Sequence, residues 1–364
     1  MDIAFLLKLL IRIPEFVLAF GLLVFLHELG HYLASKFFNI DVEEFGFGLP
    51  PRMVKLFQFR ETEFTLNWLP FGAFVRPKGE TDPSVVGGMG AASPFARLTV
   101  LFAGPFFNLV TGVLLFTLLY GIYGVPDPSR VLIDSVVEGA PAQAAGLLSG
   151  DIILKIEGQE MHSSASLQKA VAANLGKEIT ITYERSGQEF ETRVTPRVKP
   201  PEGQGPLGIV MGLFFRKVSA SEWLPNALQT SYEQITGVLT LPVKIIQGQL
   251  SPQEGRVVGP VGIFNIFDAA REQDNLMAQE SNQPAGINTL SLLASLSIAL
   301  GISNLLPIPA LDGGRILFLL PEIVLRRRIP ARYENLVHLV GLAALIILMV
   351  YITTQDIVNP IDLR

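Results

Sequence analysis

Two histidines and a glutamate lie within five residues of each other in the apolar stretch VFLHELGHYLAS, residues 24–35. Residues four apart share one face of a helix, so His27 and His31 can bind one ion while Glu28 lies beside them. This H-E-x-x-H pattern is typical of two imidazoles that hold zinc and a glutamate that acts as a base. An ionisable residue inside an apolar, membrane-length segment is costly and usually functional. The alternative is a pair of structural histidines that are hydrogen-bonded between helices.

A hydrolytic zinc site usually has three protein ligands and a water, so one ligand is missing from this motif. The chain has no cysteine, and its other histidines are His162 and His338. We therefore expect a carboxylate, and Asp312 lies between apolar runs in GISNLLPIPALDGGRILFLL. An unpaired carboxylate there would be costly, whereas binding a divalent cation offsets its desolvation. Glu322 is the rival candidate, but it adjoins an arginine cluster, which favours a position at the membrane interface.

The composition is typical of a membrane protein. Of 364 residues, 49% are hydrophobic and 17% are charged, whereas soluble domains carry about 25% charged residues. A net charge of −5 without a basic stripe argues against a nucleic-acid partner. The absence of cysteine excludes disulfides, thiolate metal sites and a thiol nucleophile.

Four segments are apolar enough to cross a bilayer as helices of about 20 residues, namely 14–38, 99–123, 289 to about 320, and 336–353. Four arginines between residues 326 and 332 predict a cytoplasmic loop after the third segment. The loop at 39–97 then lies on the same side, and both termini and residues 124–285 lie outside. Lys8 and Arg12 mildly oppose this orientation.

Two regions between the spans have β-strand patterns. Residues 54–60 and 64–68 alternate apolar and polar side chains around a turn, which predicts a β-hairpin. Its many Phe and Leu residues predict that it is membrane-associated and lies against the helices, where its backbone must be buried in protein or line a wet cavity. Residues 127–198 resemble a bacterial PDZ domain, through the A-P-A-x-x-A-G-L turn at 140–147 and the strand pair GDIILKIEG at 150–158. Such a domain binds an extended peptide at a sheet edge, and a structural domain without a ligand is the alternative.

The predicted fold is an α-helical membrane protein with four transmembrane helices, a membrane-associated β-hairpin and an inserted α+β PDZ domain. The predicted domains are residues 1–126 with the metal motif and hairpin, 127–200 as the PDZ domain, 201–288 as a linker with amphipathic membrane-surface helices, and 289–364 with the last two transmembrane helices and the third ligand.

The two metal motifs together carry a family resemblance. H-E-L-G-H in the first span and N-x-x-P-x-P-x-L-D-G-G at 304–314 resemble the site-2 protease family of intramembrane zinc metalloproteases. Supporting pieces are G-F-G at 46–48, F-A-G-P-F-F-N at 102–108 and G-P-V-G-I at 259–263. One PDZ domain between the second and third spans is similar to the bacterial regulators of that family.

The resemblance implies a Zn²⁺ cofactor, a catalytic base and a set of substrate-binding residues. The implied zinc ligands are His27, His31 and Asp312, the base is Glu28, and Asn304, Pro307 and Pro309 help to hold the substrate. Asn304 can instead cap the broken helix, and Asn108 is a weaker candidate for a contact with the substrate.

The depth of the motif predicts the kind of substrate. Thirteen residues from Pro14 to Leu26 place His27 about 20 Å from the outer surface, toward the cytoplasmic face. An enzyme at that depth cuts in or beside another protein's membrane helix. Because a helical peptide bond is shielded, we expect the substrate to unwind and pair as a strand with the hairpin edge near Phe71 and Val75.

The leading hypothesis is an intramembrane zinc endopeptidase in a bacterial inner membrane, which cleaves the transmembrane segments of single-pass proteins in regulated intramembrane proteolysis. Its partners would be the lipid bilayer, substrates such as anti-sigma-factor-like regulators trimmed by another protease, and an extended peptide at the PDZ groove. The PDZ domain, outside the cell membrane, would either exclude untrimmed substrates or dock them. The alternatives are a metal transporter with the His/Asp cluster as a transit site, and a PDZ scaffold that binds no zinc.

Overall fold

The computed structural model describes residues 3–201, 203–249, 256–281 and 286–360, without the side chains of 3–7, 71, 280 and 281. The chain divides into two compact units. One unit, Met1–Leu119 with Leu224–Arg364, contains the long helices and a sheet of two strands. The other, Tyr120–Trp223, contains a separate sheet.

The elements are named here in chain order. The helices are α1 Ile3–Phe37, α2 Pro94–Ile122, α3 Pro141–Ala144, α4 Ser164–Ala172, α5 Ala220–Ile246, α6 Pro260–Ser281, α7 Ile287–Leu305, α8 Asp312–Leu325 and α9 Ala331–Val358. The strands are β1 Val42–Phe59, β2 Thr62–Pro77, β3 Val125–Val136, β4 Ile152–Ile156, β5 Gln159–Glu160, β6 Ile179–Arg185, β7 Gln188–Val194 and β8 Ile209–Arg216.

Four described helices are long and apolar enough to cross a membrane: Lys8–Phe37 within α1, and the whole of α2, α7 and α9. The third predicted segment, 289 to about 320, is broken at the position that its prolines indicate. It consists of α7, which ends at Leu305, and α8, which begins at Asp312. Pro307 and Pro309 lie between them and cannot continue a helix, because proline lacks the N–H donor. The break places Asp312 at the first residue of α8.

Helix α2 packs against both α1 and α7 through glycines. A Cβ atom on Gly30 of α1 would lie 2.4 Å from the carbonyl oxygen of Ala103, and one on Gly301 of α7 would lie 2.9 Å from that of Pro105. Such distances leave no room for a side chain, so glycine allows the helix backbones to approach closely. The two motif-bearing helices, α1 and α7, are therefore both held against α2.

Strands β1 and β2 form a bent hairpin beside α1. Because β2 bends, its two halves pair with opposite sides of β1. Phe45 of β1 has two partners in the sheet, Phe64 on one side and Val75 on the other, so the first half of β1 is central. Phe45 is fully buried and packs in a cluster with Tyr32 of α1. The stretch 73–77 of β2 therefore lies at an edge of the sheet. The distal stretch, 49–61, is exposed and rich in apolar side chains.

Helix α6 is linked to other helices by buried carboxylates. Asp274, with no exposed surface, accepts hydrogen bonds from the backbone and side chain of Asn288 at the start of α7. Asp356 of α9 accepts backbone hydrogen bonds from Gly259 and Gly262 at the start of α6. Carboxylates at helix N-termini satisfy free N–H groups and interact favourably with the helix dipole. These bonds fix α7 and α9 to the same neighbour.

The second unit is an α+β unit at the position of the predicted PDZ domain, and it is called the PDZ-like unit for that reason. Its strands follow the order β7-β6-β4-β3-β8, with β5 beside β4, around a core that includes Ile133, Leu147 and Ile181. Strand β8 pairs with β3 and ends the sheet. The predicted domain ends at residue 200 and a predicted linker follows it, whereas the sheet continues to Arg216. The difference arises because β8 pairs with a strand about eighty residues earlier, which local patterns do not reveal.

Candidate metal centre and active site

His27 and His31 lie one helical turn apart in α1, with ring centroids 4.8 Å apart. The Nδ1 atom of His31 lies 2.7 Å from the carbonyl oxygen of Val100 in α2. A carbonyl oxygen only accepts hydrogen bonds, so Nδ1 carries a proton, and in the neutral ring Nε2 keeps its lone pair. Such a bond to the second nitrogen is the usual way in which a protein orients a metal-binding histidine.

Asp312 from α8 completes a group of three candidate ligand atoms. Its Oδ2 lies 3.1 Å from His27 Nε2 and 3.4 Å from His31 Nε2, and the two Nε2 atoms lie 3.2 Å apart. A tetrahedral zinc ion with bonds of 2.0–2.1 Å holds its ligand atoms about 3.3 Å apart. Two imidazoles and one carboxylate, separated by these distances, therefore fit a zinc ion with one position open. The residues that sequence analysis assigns to the metal are brought together.

Gly104 of α2 provides the space for the two imidazoles. A Cβ atom on Gly104 would lie 2.3 Å from Nε2 of His31 and 2.8 Å from Nε2 of His27. No side chain fits at those distances, so α2 forms a wall of the candidate metal centre without supplying a ligand. The residue types alone do not predict this role, although the glycine lies in the F-A-G-P-F-F-N stretch.

Asn108 of α2 contacts the other nitrogen of His27. Its Nδ2 lies 3.2 Å from His27 Nδ1, and its Oδ1 is buried without a hydrogen-bonding partner among the described residues. A half-turn of the amide allows Oδ1 to accept from Nδ1–H, which leaves Nε2 of His27 free for a metal. The structure thus places Asn108 behind a candidate ligand, whereas sequence analysis considered it for substrate contact.

Glu28 lies beside the histidines and bonds to the edge of the hairpin. It offers a carboxylate oxygen within 4.8 Å of the ligand nitrogens of His27 and His31. Its Oε2 accepts a hydrogen bond of 2.9 Å from the backbone N–H of Val75. The candidate base, the candidate metal ligands and the edge strand therefore meet at one place.

Three further candidate residues are described by their contacts or their place in the chain. Asn304 donates a hydrogen bond of 3.0 Å to the carbonyl of Leu300, within its own helix. Glu322, the rival third ligand, pairs with Arg97 at 2.7 Å. Phe71 lies in β2, and its side chain is outside the described part of the chain.

Comparisons with known proteins decide the family. The model of Peptidase family M50 matches residues 15–348. The chain belongs to this family, the site-2 proteases. It is 33% identical over 347 residues to "Putative zinc metalloprotease CPE1693" of Clostridium perfringens, covering 95% of this chain and 98% of the relative. It is 31% identical over 359 residues to a protein of the same descriptive name from Campylobacter jejuni, covering 94% and 92%.

Among solved structures, the PDZ domain of the SdrC-like protein from Listeria innocua is 26% identical, with a TM-score of 0.21. The match covers 24% of the present chain and 99% of the Listeria innocua domain. The PDZ domain of the corresponding Listeria monocytogenes protein is 23% identical with the same TM-score, covering 23% and 87%.

The site-2 protease is thus a zinc-dependent membrane metalloprotease, and its cofactor is zinc. Membership of a peptidase family favours hydrolysis over the metal-transporter alternative, and a zinc enzyme is not a scaffold with incidental histidines. The predicted enzyme class and cofactor are confirmed. The assignment of individual residues to the zinc ion stays a prediction.

Replacing Gly104 with alanine tests the space for the imidazoles. We expect Gly104→Ala to weaken zinc binding by about 10- to 100-fold, because the new methyl group displaces both Nε2 atoms. Zinc content after dialysis against graded chelator measures the effect. Gly21→Ala is the matched control, since a Cβ atom at Gly21 meets nothing within 4 Å. Equal zinc affinity in the two variants would contradict this role of α2.

Proposed function

We propose that His27, His31 and Asp312 hold the catalytic zinc ion. The observation that supports this assignment is the separation of their ligand atoms, 3.1–3.4 Å, across two helices far apart in sequence. The side chains of all three are largely buried, with 9%, 12% and 17% of their surface exposed. Burying a carboxylate beside two imidazoles is costly unless a cation or a proton compensates the charge. A divalent ion does so for the whole group.

Glu28 acts as the general base and acid in this proposal. Zinc, when bound, makes a water acidic, with a pKa of about 7, and polarises the scissile carbonyl. Glu28 takes the proton of the attacking water and passes it to the nitrogen of the leaving amide. The hydrogen bond from Val75 N–H holds the Glu28 carboxylate in a fixed orientation. Asn108 and Val100 restrain the two imidazoles in the same way.

The substrate binds as an extended strand along residues 73–77. Because Val75 N–H bonds to Glu28, it points away from β1, toward the active site. Alternate residues of a strand present their backbone groups to the same side, so Ala73 has its N–H on that edge as well. A strand added there passes beside Glu28 and the metal ligands. Phe71, two residues before Ala73 in β2, extends the same edge.

The substrates are transmembrane segments of single-pass proteins, cleaved near the cytoplasmic side of a bacterial inner membrane. Arg328, in the arginine cluster, donates hydrogen bonds to carbonyls of Gly90 and Thr81, so the loop after the hairpin lies beside that cluster. Lys8 and Arg12, which opposed this orientation, both pair with Asp268 of α6. Their charges are thereby compensated locally, which weakens that objection.

The PDZ-like unit lies outside and screens substrates by their outer segments. Strand β8 ends its sheet and offers an edge to which an extended peptide can add. In this proposal, only substrates shortened by an earlier cut reach the active site, as in regulated intramembrane proteolysis. Membrane-bound signalling regulators, such as anti-sigma-factor-like proteins, are the substrate class that this arrangement suits.

The first test separates catalysis from metal binding. We expect Glu28→Gln to lower kcat by about 10²- to 10⁴-fold and to leave zinc stoichiometry unchanged, because the amide cannot accept the proton. Asp312→Ala should lose zinc. Exposed Glu43 provides the control Glu43→Gln, which should retain both properties. Cleavage of a transmembrane substrate and zinc analysis on the same purified protein provide the readouts, and full activity of Glu28→Gln would refute the mechanism.

A second test addresses the strand edge. We expect Ala73→Pro to lower kcat/KM by roughly tenfold, through loss of one substrate hydrogen bond, with zinc content and the Glu28 contact preserved. Val75→Pro is less informative, since it also removes the donor to Glu28. Val86→Pro controls for the general effect of introducing a proline, because the side chain of Val86 is 87% exposed. Unchanged cleavage by Ala73→Pro would exclude pairing at this edge.

A third test removes the PDZ-like unit. Val125 pairs with Arg216 at the start and end of the sheet, so Gly124 and Lys217 can be joined by a short Gly-Ser linker. We expect the shortened protein to cleave an untrimmed substrate faster than the full chain, because screening is lost. Slower cleavage would instead indicate docking by this unit. The same deletion with Glu28→Gln controls for contaminating proteases.

A further inference from the structure

The segment between α7 and α8 must satisfy its backbone donors without a helix. In a lipid environment an unpaired N–H group is costly, and irregular backbone is tolerated only where partners are supplied. Pro307 and Pro309 have no N–H, so they remove two donors from the segment. The N–H of Leu306 bonds to Ser303, and that of Ile308 bonds back to Leu306.

Only Ala310, among the non-proline residues 306–311, is shown to donate its N–H to a side chain. Leu311 N–H bonds to the carbonyl of Ile308, in the same segment. The N–H of Ala310 donates to Nδ1 of His338, in α9, over 2.8 Å. Ala310 has φ of +77°, a left-handed conformation that is unfavourable for a residue with a Cβ atom. This strained residue is therefore held by a contact from a different helix.

Because Nδ1 of His338 accepts this hydrogen bond, the proton of the neutral ring lies on Nε2. Nε2 is buried and has no hydrogen-bonding partner among the described residues. The ring packs against Phe318 of α8, with centroids 5.4 Å apart. One turn later in α9, a Cβ atom on Gly341 would lie 2.4 Å from Cβ of Pro309. Helix α9 thus contacts the segment at two adjacent points, once by a hydrogen bond and once by close packing.

We propose that His338 is a positioning residue, which fixes the backbone at Ala310 so that Asp312 reaches His27 and His31. The inference rests on the proposed zinc site. Asp312 follows Ala310 by two residues and is the first residue of α8. The start of α8 is packed tightly, since a Cβ atom on Gly314 would lie 2.2 Å from the carbonyl oxygen of Ile308. A shift at Ala310 is therefore transmitted to the carboxylate of Asp312.

Two substitutions at His338 separate the hydrogen bond from packing. His338→Leu fills the space with an apolar side chain but cannot accept a hydrogen bond. His338→Asn is polar and smaller, but its Oδ1 can occupy the place of Nδ1 and accept from Ala310. If the bond positions Asp312, the asparagine variant should behave like the original protein and the leucine variant should not. If His338 only fills space, the order should be reversed.

The experiment measures the metal site directly, in the full chain purified in detergent. Zinc affinity by chelator competition should fall about 10- to 100-fold in His338→Leu and less than about threefold in His338→Asn. The visible absorption spectrum of Co²⁺ in the site should change in the leucine variant, and kcat should fall more than KM rises. Leu339→Asn is the control for introducing a polar side chain into α9. Leu339 adjoins His338 in the chain, and its side chain is 64% exposed.

A further substitution uses the strained conformation. Ala310→Gly, combined with His338→Leu, should restore part of the zinc affinity, since glycine adopts a positive φ without penalty. The proposal is overturned if His338→Leu keeps the affinity and Co²⁺ spectrum of the original protein, or if His338→Asn loses as much as His338→Leu. If Asp312→Ala still binds zinc at this site, the proposed zinc site itself is wrong, which is a separate outcome.

Discussion

The arrangement depends on one constraint, the meeting of a carboxylate at the start of α8 with two imidazoles on α1. Asp312 begins α8 and the two histidines lie on α1, so their ligand atoms come within 3.1–3.4 Å of each other only if the intervening elements fix both helices. Helix α2 does this from one side: Gly30 and Gly104 permit close approach, and the Val100 carbonyl fixes a ring. Much of the molecule can be understood as the support for this contact.

The low polarity of the surroundings explains why so many polar groups are paired across helices. Asp274 and Asp356 satisfy the N–H groups at the starts of α7 and α6, and the prolines of the broken third segment remove donors that would lack partners. The same requirement makes the hairpin edge useful. In the proposed function, an unwound substrate finds partners for its backbone groups at this strand edge. In that proposal, the need to pair backbone groups links stability to substrate binding.

The sequence was most informative where a residue is costly unless it has a function. His27, His31 and Asp312 could be selected from the sequence because charged or polar groups in apolar segments need a reason to be there. Contacts between distant segments left no local pattern. The bond between Glu28 and Val75, the position of Asn108 behind His27 and the pairing of β8 with β3 all join residues far apart in the chain. For that reason local patterns predict a linker where the structure has β8.

The chain enters and leaves the PDZ-like unit at neighbouring positions, because the start of β3 pairs with the end of β8. An inserted domain whose two ends are adjacent imposes little strain on the chain that carries it. Evolution can then exchange, duplicate or delete such a module while the helical half keeps its ligand geometry. We therefore expect related enzymes to differ more in this unit than around the histidines.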